Sequence, residues 1–270
     1  MGQRKTHKTN IIGAGEAGYA VSSDLNGDAV YAINRSFWDG KGNEILGATV
    51  LPLYGAYLSE EKCRLFDNIE GKKILEIGCG TGRSLAYVAK RNAGELWGLD
   101  LSNEQIKKAN KYLSGCNIPA NLICSPMEAS CGIPENYFDI VYSIYAIGWT
   151  TDLEGTFRQV ASYLKEGGCF IFSWSHPIHK CVAWEDGKLI FKKSYFDESW
   201  YTASLDGENL SLCDRKLSTY INALVKAGFA IEELVEESDR ELIQKDGSNF
   251  ARKAEMLPVT FVIKAKKILF

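Results

Sequence analysis

Leu75-Glu76-Ile77-Gly78-Cys79-Gly80-Thr81-Gly82 is the stretch on which the reading of this chain turns. It extends an apolar run from Lys73 and then breaks into three glycines at alternate positions, as a buried parallel strand does when it enters a tight turn. Residues 81–90 carry Leu85, Val88 and Ala89 on one side and read as a helix. The next apolar run, 95–99, closes on Asp100, 22 residues after Gly78. No Lys-Ser/Thr pair follows the glycines, which excludes a P-loop.

The alternation continues downstream. Ser102 caps a helix through Leu113, with Ile106, Ala109 and Leu113 on one stripe. Residues 121–124, 138–143 and 169–174 read as strands three to five, with a helix over 152–164 ended by Gly167-Gly168. A helix over 217–226 and strands over 230–235 and 259–264 complete the series. Strand and helix in turn predict an α/β, doubly wound, mostly parallel sheet. Such sheets bind ligands at the carboxyl ends of their strands. The chemistry is expected in the loops after strands one, two, four and five.

Upstream, residues 1–35 read as a flexible N-terminal arm, basic at Arg4, Lys5 and Lys8 and then rich in Gly, Ala and Ser. Residues 36–70 are aromatic and amphipathic and read as a helical cap on a single domain spanning 36–270. Residues 183–213 break the rhythm. Asp186-Gly187 and Asp206-Gly207 mark turns between aromatic runs, predicting a β-hairpin insertion that serves as a lid.

A second glycine fingerprint competes. Gly13-Ala14-Gly15-Glu16-Ala17-Gly18 is a literal GxGxxG, the form that supports a dinucleotide-dependent oxidoreductase. Its preceding apolar run is only Ile11-Ile12, and the residues after it make a poor helix. A second strand at 30–33 would end on Asn34-Arg35, where an arginine suits a 2′-phosphate. A lone GxGxxG is a weak signal, and the first fingerprint is preferred.

Of the 270 residues 46% are hydrophobic and 24% charged, which excludes a disordered, collagen-like or disulfide-knot chain. Lys plus Arg is 31 against 34 for Asp plus Glu, a balance that argues against a broad nucleic-acid surface. Eight cysteines without a CxxC pair, Cys124 and Cys169 among apolar neighbours, read as reduced core thiols. No apolar run spans a membrane and no secretory signal opens the chain, so a cytoplasmic protein is expected.

At residues 75–82 the sequence resembles the class I S-adenosylmethionine-dependent methyltransferases, and more narrowly the group similar to ubiquinone and menaquinone biosynthesis methyltransferases. Phe138-Asp139-Ile140-Val141-Tyr142-Ser143, Leu164-Lys165-Glu166-Gly167-Gly168 and Ala227-Gly228-Phe229 extend the resemblance over about residues 36–267. It implies a seven-stranded Rossmann-like sheet, S-adenosyl-L-methionine as cofactor and S-adenosyl-L-homocysteine as product. It further implies that Gly78, Cys79, Gly80 and Gly82 form the loop under the methionine and sugar, with Glu76 at its base. Asp100 would bind the ribose and Leu101 would cover the adenine. Met127 and Glu128 would line the base, and Ser143 would join the ligand-facing set. Many relatives carry Asp where this chain has Met127, so the adenine amine needs another acceptor, for which Glu128 is the candidate.

Methyl transfer from a sulfonium is an in-line displacement, and a base is needed only when the nucleophile must lose a proton. Amino-directed nucleic-acid methylases carry an Asp/Asn-Pro-Pro-aromatic motif after strand four. Here Ser143-Ile144-Tyr145-Ala146 stands there, which points to a small-molecule acceptor. Some relatives place a histidine where this chain has Gly148, so a base from that spot is lost. Trp38, Tyr54, Tyr57, Tyr145, Trp149 and His176 are expected to wall the acceptor pocket, with His176 and Tyr145 as catalytic candidates. His176-Pro177-Ile178-His179 lacks a helix to aim its rings and a matching ligand pair, so no metal is expected. A non-catalytic S-adenosylmethionine-binding protein is the remaining alternative. The acceptor and the oligomeric state are not written in the sequence.

Overall fold

Seven apolar runs pair into one sheet in the computed structural model, which describes residues 6–10, 16–21 and 25–268. We number its strands β1 (Lys73–Ile77), β2 (Glu95–Asp100), β3 (Asn121–Cys124), β4 (Phe138–Ile144), β5 (Leu164–Ser175), β6 (Phe229–Val235) and β7 (Thr260–Lys267). Their order is β6-β7-β5-β4-β1-β2-β3. Strands β1 to β5 pair in parallel, while β7 runs antiparallel to both β5 and β6. The sheet is therefore mostly parallel and doubly wound, and its switch point lies between β1 and β4.

Successive residues of a strand face opposite sides, and both sides here are covered. Leu75, Ile77, Val141, Phe170 and Phe172 pack with Phe157 and Leu224 on one face. Ile74, Ile140, Tyr142 and Ile171 pack with Leu85 and Leu113 on the other. The helices we label are α1 (Gly27–Asp39), α2 (Gly42–Leu46), α3 (Arg83–Ala89), α4 (Asn103–Gly115), α5 (Leu153–Tyr163) and α6 (Leu217–Lys226). Side-chain caps fix where they begin. Ser102 Oγ accepts from Gln105 N at 3.1 Å, and Asp152 Oδ1 accepts from Gly155 N at 2.9 Å.

Two expectations are corrected. Residues 1–35 are not simply a flexible arm: Thr6–Asn10 and Glu16–Val21 pair antiparallel, and the second also pairs with Trp200–Leu205. An unpaired strand edge is a liability, and here the N-terminal strand covers it. Helix α1 also begins at Gly27, before the expected cap, because Asn26 Oδ1 accepts from Ala29 N at 2.9 Å. The cap itself holds a short hairpin, Leu53–Gly55 with Leu58–Ser59, beside its helices.

The insertion is two hairpins, Val182–Glu185 with Lys188–Phe191 and Trp200–Leu205 with Glu208–Cys213. Both residues of Asp186-Gly187 and of Asp206-Gly207 have positive φ, as two-residue hairpin turns require. The eight cysteines are free thiols, but Cys116 and Cys124 are exposed rather than in the core. Among the described residues no helix is long and apolar enough to cross a membrane.

Candidate cofactor and acceptor cavity

At the carboxyl ends of β1, β2 and β4 lies a cavity with about 1070 Å³ of empty space, part of it open to solvent. Its floor is the glycine loop. The Gly78 and Cys79 amides both donate to the Leu99 carbonyl, at 2.7 and 3.0 Å, and so bind the loop to β2. Gly78 has φ +73°, and a Cβ there would lie 2.1 Å from the Ala146 Cβ. A Cβ on Gly80, at φ +49°, would meet no atom within 4 Å.

Asp100 stands beside this loop at the cavity wall. Its Oδ2 accepts from Gly80 N at 2.8 Å and its Oδ1 from Ser102 N at 2.9 Å. Each carboxylate oxygen keeps acceptor capacity beyond these bonds. Burial pushes its carboxyl up to about 6, against the opposing pull of those two amides. Glu76, deeper in the wall, accepts from the Tyr142 hydroxyl at 3.1 Å, and burial raises it well above the usual range.

Leu101, Pro126, Met127 and Glu128 form the far side of the cavity. Oε1 of Glu128 accepts from Thr151 N and Oγ1, both at 2.8 Å, and from Thr150 Oγ1 at 3.0 Å, while Oε2 is buried without a partner among the described residues. Burial raises the Glu128 carboxyl, but the bonds from Tyr31, Thr151 and the backbone outweigh it and hold it below its ordinary value. Gln105 donates Nε2 to the Trp38 carbonyl at 3.1 Å and leaves Oε1 likewise buried and unpartnered at the cavity.

The roof comes from α1, the end of α2 and the turn after it, through Tyr31, Asn34, Trp38, Leu46 and Val50. The edge-to-face pair Trp38 and Trp149, centroids 5.2 Å apart, closes the side. Tyr145 adds its ring to the wall from a left-handed backbone, φ +52°, with its hydroxyl 2.9 Å from Thr260 Oγ1. At Gly148 the Trp174 indole occupies the space: a Cβ would come within 1.9 Å of it, so no side chain fits.

Most of the expected site residues meet here: Glu76, Gly78, Cys79, Gly80, Asp100, Leu101, Met127, Glu128, Tyr145, Trp38 and Trp149. Others do not. Gly82 caps α3 and faces Leu113 and Ala109 of α4. Ser143 is sealed inside the sheet, its Oγ without a partner among the described residues. Tyr54 turns its hydroxyl to Glu60 at 2.7 Å, and Tyr57 turns to Asp246 at 2.5 Å.

His176 is the main correction. Its Nδ1 accepts from Ile178 N at 3.2 Å, capping the short helix Pro177–Cys181, and Nε2 lies 2.6 Å from Glu236 Oε1. A proline-led helix start asks for a capping acceptor, and the imidazole fills that role instead of reaching the cavity. The insertion is not the lid either; none of its residues is among those lining the cavity. It backs α1, and α1 is the roof. Of the competing GxGxxG, Gly13–Gly15 lies outside the described residues, and Glu16–Gly18 opens a strand where a dinucleotide loop needs a helix.

Tyr31, Asn34 and Gln105 escaped the sequence reading. The available signal was Asn26 as a cap before Val30, Asn34 and Phe37, spaced four and then three residues apart.

Comparison with known proteins points the same way. Residues 75–172 match the family model described as a methyltransferase domain. An uncharacterized protein of Haemophilus influenzae is 28% identical over 221 residues, covering 76% of this chain and 84% of its own length. A ubiquinone biosynthesis O-methyltransferase of Pectobacterium carotovorum is 28% identical over 142 residues, 53% of this chain, and the match spans only 57% of that enzyme. The solved structure of a putative S-adenosylmethionine-dependent methyltransferase from Listeria monocytogenes is 26% identical. It superposes with a TM-score of 0.66 over 78% of this chain and 96% of that one.

Proposed function

The chain is a class I S-adenosylmethionine-dependent methyltransferase, and from that premise we propose that this cavity holds the cofactor and passes its methyl group to a small acceptor under the α1 roof. The observation that carries the reading is Asp100. Its two oxygens are oriented by the Gly80 and Ser102 amides, and their remaining lone pairs suit a pair of vicinal ribose hydroxyls.

The rest of the cofactor finds complementary groups. The unfilled space above Gly80 admits the ligand against bare backbone. Glu76 takes the amino end, and Leu101 and Met127 sandwich the base. Glu128 Oε2, unpartnered in the free protein, accepts from the adenine amine in place of the missing Asp, with Gln105 Oε1 a second acceptor nearby. When bound, the sulfonium supplies an electrophilic methyl whose leaving group is a neutral thioether. The protein's own task is alignment and exclusion of water, and Trp38, Tyr145 and Trp149 wall the space for it. Proximity of this kind lowers barriers by up to about 7–11 kcal/mol. The net charge and the carboxylate-rich cavity favour a small acceptor over nucleic acid.

The test is S-adenosylhomocysteine titrated into the full chain while melting is followed. Saturation at 100 times the dissociation constant should stabilise the fold by about 2.7 kcal/mol. Asp100→Ala should lose most of that stabilisation and remain folded. An undiminished shift in the variant would place the ribose elsewhere.

A further inference from the structure

We propose that Tyr31, on the roof helix α1, is a positioning residue for the methyl donor: with Thr151 it fixes the Glu128 carboxylate so that one oxygen stays free to read the amine of the adenine. The inference rests on the reading that this cavity holds the sulfonium donor. It adds that the base is recognised only under a seated roof, and that a donor whose base has lost its amine is refused.

The donors crowd one oxygen of Glu128. Oε1 accepts from Thr151 N and Oγ1, both at 2.8 Å, from Thr150 Oγ1 at 3.0 Å and from Asp152 N at 3.2 Å. Oε2 is buried and unpartnered among the described residues, and a buried charged oxygen without a donor asks for one from a ligand. Turning the carboxylate away would strand the donors on Oε1, so the direction of the free oxygen is fixed. The roof supplies part of this clamp. The Tyr31 hydroxyl lines the cavity, lies 2.7 Å from Thr151 Oγ1 and also bonds the carboxylate. The other end of α1 is fastened where the ribose is expected. There the Trp38 carbonyl accepts from Gln105 Nε2 at 3.1 Å, and Asp39 Oδ1 accepts from the Oγ of Ser102, whose amide orients Asp100. Helix α1 thus spans the donor's place from base to sugar, tied at both ends to the groups that would hold it.

The clamp also decides what the free oxygen can do. An ionised carboxylate only accepts, whereas a protonated one also donates. The first takes an N–H from the adenine amine. Hypoxanthine carries a carbonyl oxygen at that position, which opposes lone pair to lone pair with the carboxylate but accepts from the protonated acid. Tyr31 from α1 and Asp152 from the start of α5 are the titratable groups that face this cluster. Burial pushes the Tyr31 phenol up, so it keeps its proton and remains a donor. Burial also raises the Glu128 carboxyl, and the bond from Tyr31 is foremost among those that outweigh it and hold it below its ordinary value. Without that hydroxyl burial is less opposed and the carboxyl rises, so discrimination between the two bases should fail first at low pH.

The test titrates S-adenosylhomocysteine and its deaminated form, S-inosylhomocysteine, into the full chain by calorimetry between pH 5 and 8. The ratio of their affinities cancels the titration of Asp100, which would meet the same ribose in both. The parent should prefer the adenine form by about tenfold or more across that range, as a lost hydrogen bond to a charged group implies. Tyr31→Phe should keep most of this preference at pH 8 and lose most of it at pH 5. Thr151→Val should behave likewise, and Thr151→Ser, which keeps the hydroxyl, should restore the parent ratio. Glu128→Gln should narrow the preference at every pH, because the donors around Oε1 hold the amide oxygen there and turn its NH2 toward the base. A Tyr31→Phe protein that weakens both ligands equally, with the ratio unchanged at every pH, makes Tyr31 a packing residue and overturns the proposal. A parent that binds S-adenosylhomocysteine without preferring it overturns the proposal too. Failure of both ligands to bind the parent overturns the cofactor reading instead.

Discussion

Asn34 in α1 and Ser211 in the second inserted hairpin are joined by two hydrogen bonds across 177 positions of chain. Ser211 N donates to Asn34 Oδ1 at 2.8 Å, and Asn34 Nδ2 donates to the Ser211 carbonyl at 2.9 Å. The amide thus completes a strand edge as another strand would. Asn34 also lines the cavity, so the insertion reaches the ligand through the helix it supports. Asp39, at the far end of α1, accepts from Ser102 Oγ at 2.5 Å and from Glu104 N at 3.2 Å, which fixes the roof to the start of α4 beside Asp100.

Asn34→Ala should therefore do two things. It strands two buried backbone groups, each worth about 1–3 kcal/mol when left unpaired, so urea denaturation should show a loss of about 2–6 kcal/mol. The roof should also loosen, and S-adenosylhomocysteine should bind more weakly in calorimetry. Asn34→Asp keeps the acceptor and loses the donor, and should fall between. Unchanged affinity in a destabilised Asn34→Ala would mean that the insertion props the fold and not the cavity.

Cofactor affinity should depend on pH through Asp100. A ribose donates to the ionised carboxylate, and in the free protein that carboxyl sits near 6. Below that value a proton competes with the ligand, and binding should weaken by up to about tenfold per pH unit. Titration at pH 5 should give about tenfold lower affinity than at pH 7, with a plateau above. The stability of the free protein runs the opposite way. The folded state binds this proton more tightly than the unfolded chain, so Asp100's contribution is present below about 4 and is lost as pH rises through 6. Asp100→Asn should flatten both profiles. A profile for the variant that keeps its step near 6 would assign the titration to another group.

Gly78 and Ala146 define how closely β1 and β4 may part at the switch point. Gly78→Ala sets two methyl groups 2.1 Å apart and forces a left-handed residue. Overpacking costs about 1–3 kcal/mol and the backbone about 1–2 kcal/mol more. Adding Ala146→Gly should return the packing part and leave the backbone part. Denaturation of the two single variants and the double one should therefore yield a favourable coupling energy. A fully additive pair would show that the loop moves aside instead of clashing.

How much of this was legible follows from what each residue needs. Glu76, Gly78, Gly80, Asp100, Leu101 and Glu128 sit on strand ends or the turns just after them, and strand ends are set by local apolar runs and glycines. Their convergence needs only the topology. Tyr31 and Asn34 come instead from a helix whose place depends on Ser211, 177 positions away, and no local pattern records that contact. Tyr54, Tyr57 and His176 show the opposite error. Residue type suggested a pocket wall, but the direction of each ring was decided by Glu60, Asp246 and Glu236.

His176 offers the sharpest separation of a structural role from a chemical one. Because its Nδ1 accepts from Ile178 N, its Nε2 carries the proton donated to Glu236. His176→Ala removes the cap and should cost about 0.5–2 kcal/mol in denaturation. His176→Asn restores an acceptor for the Ile178 amide and should recover most of that loss. Burial lowers the imidazole's pKa, only partly offset by Glu236. The unfolded chain therefore binds this proton more readily, and the contribution of His176 to stability is present above about 6.5 and is lost as pH falls below it. The Ala variant should accordingly show a shallower decline between pH 7 and 5 than the parent. Affinity for S-adenosylhomocysteine and turnover of the acceptor should stay within twofold in both variants, since the ring does not reach the cavity. A folded His176→Ala protein that binds S-adenosylhomocysteine normally yet has lost turnover, with Asn giving no rescue, would return His176 to the chemistry.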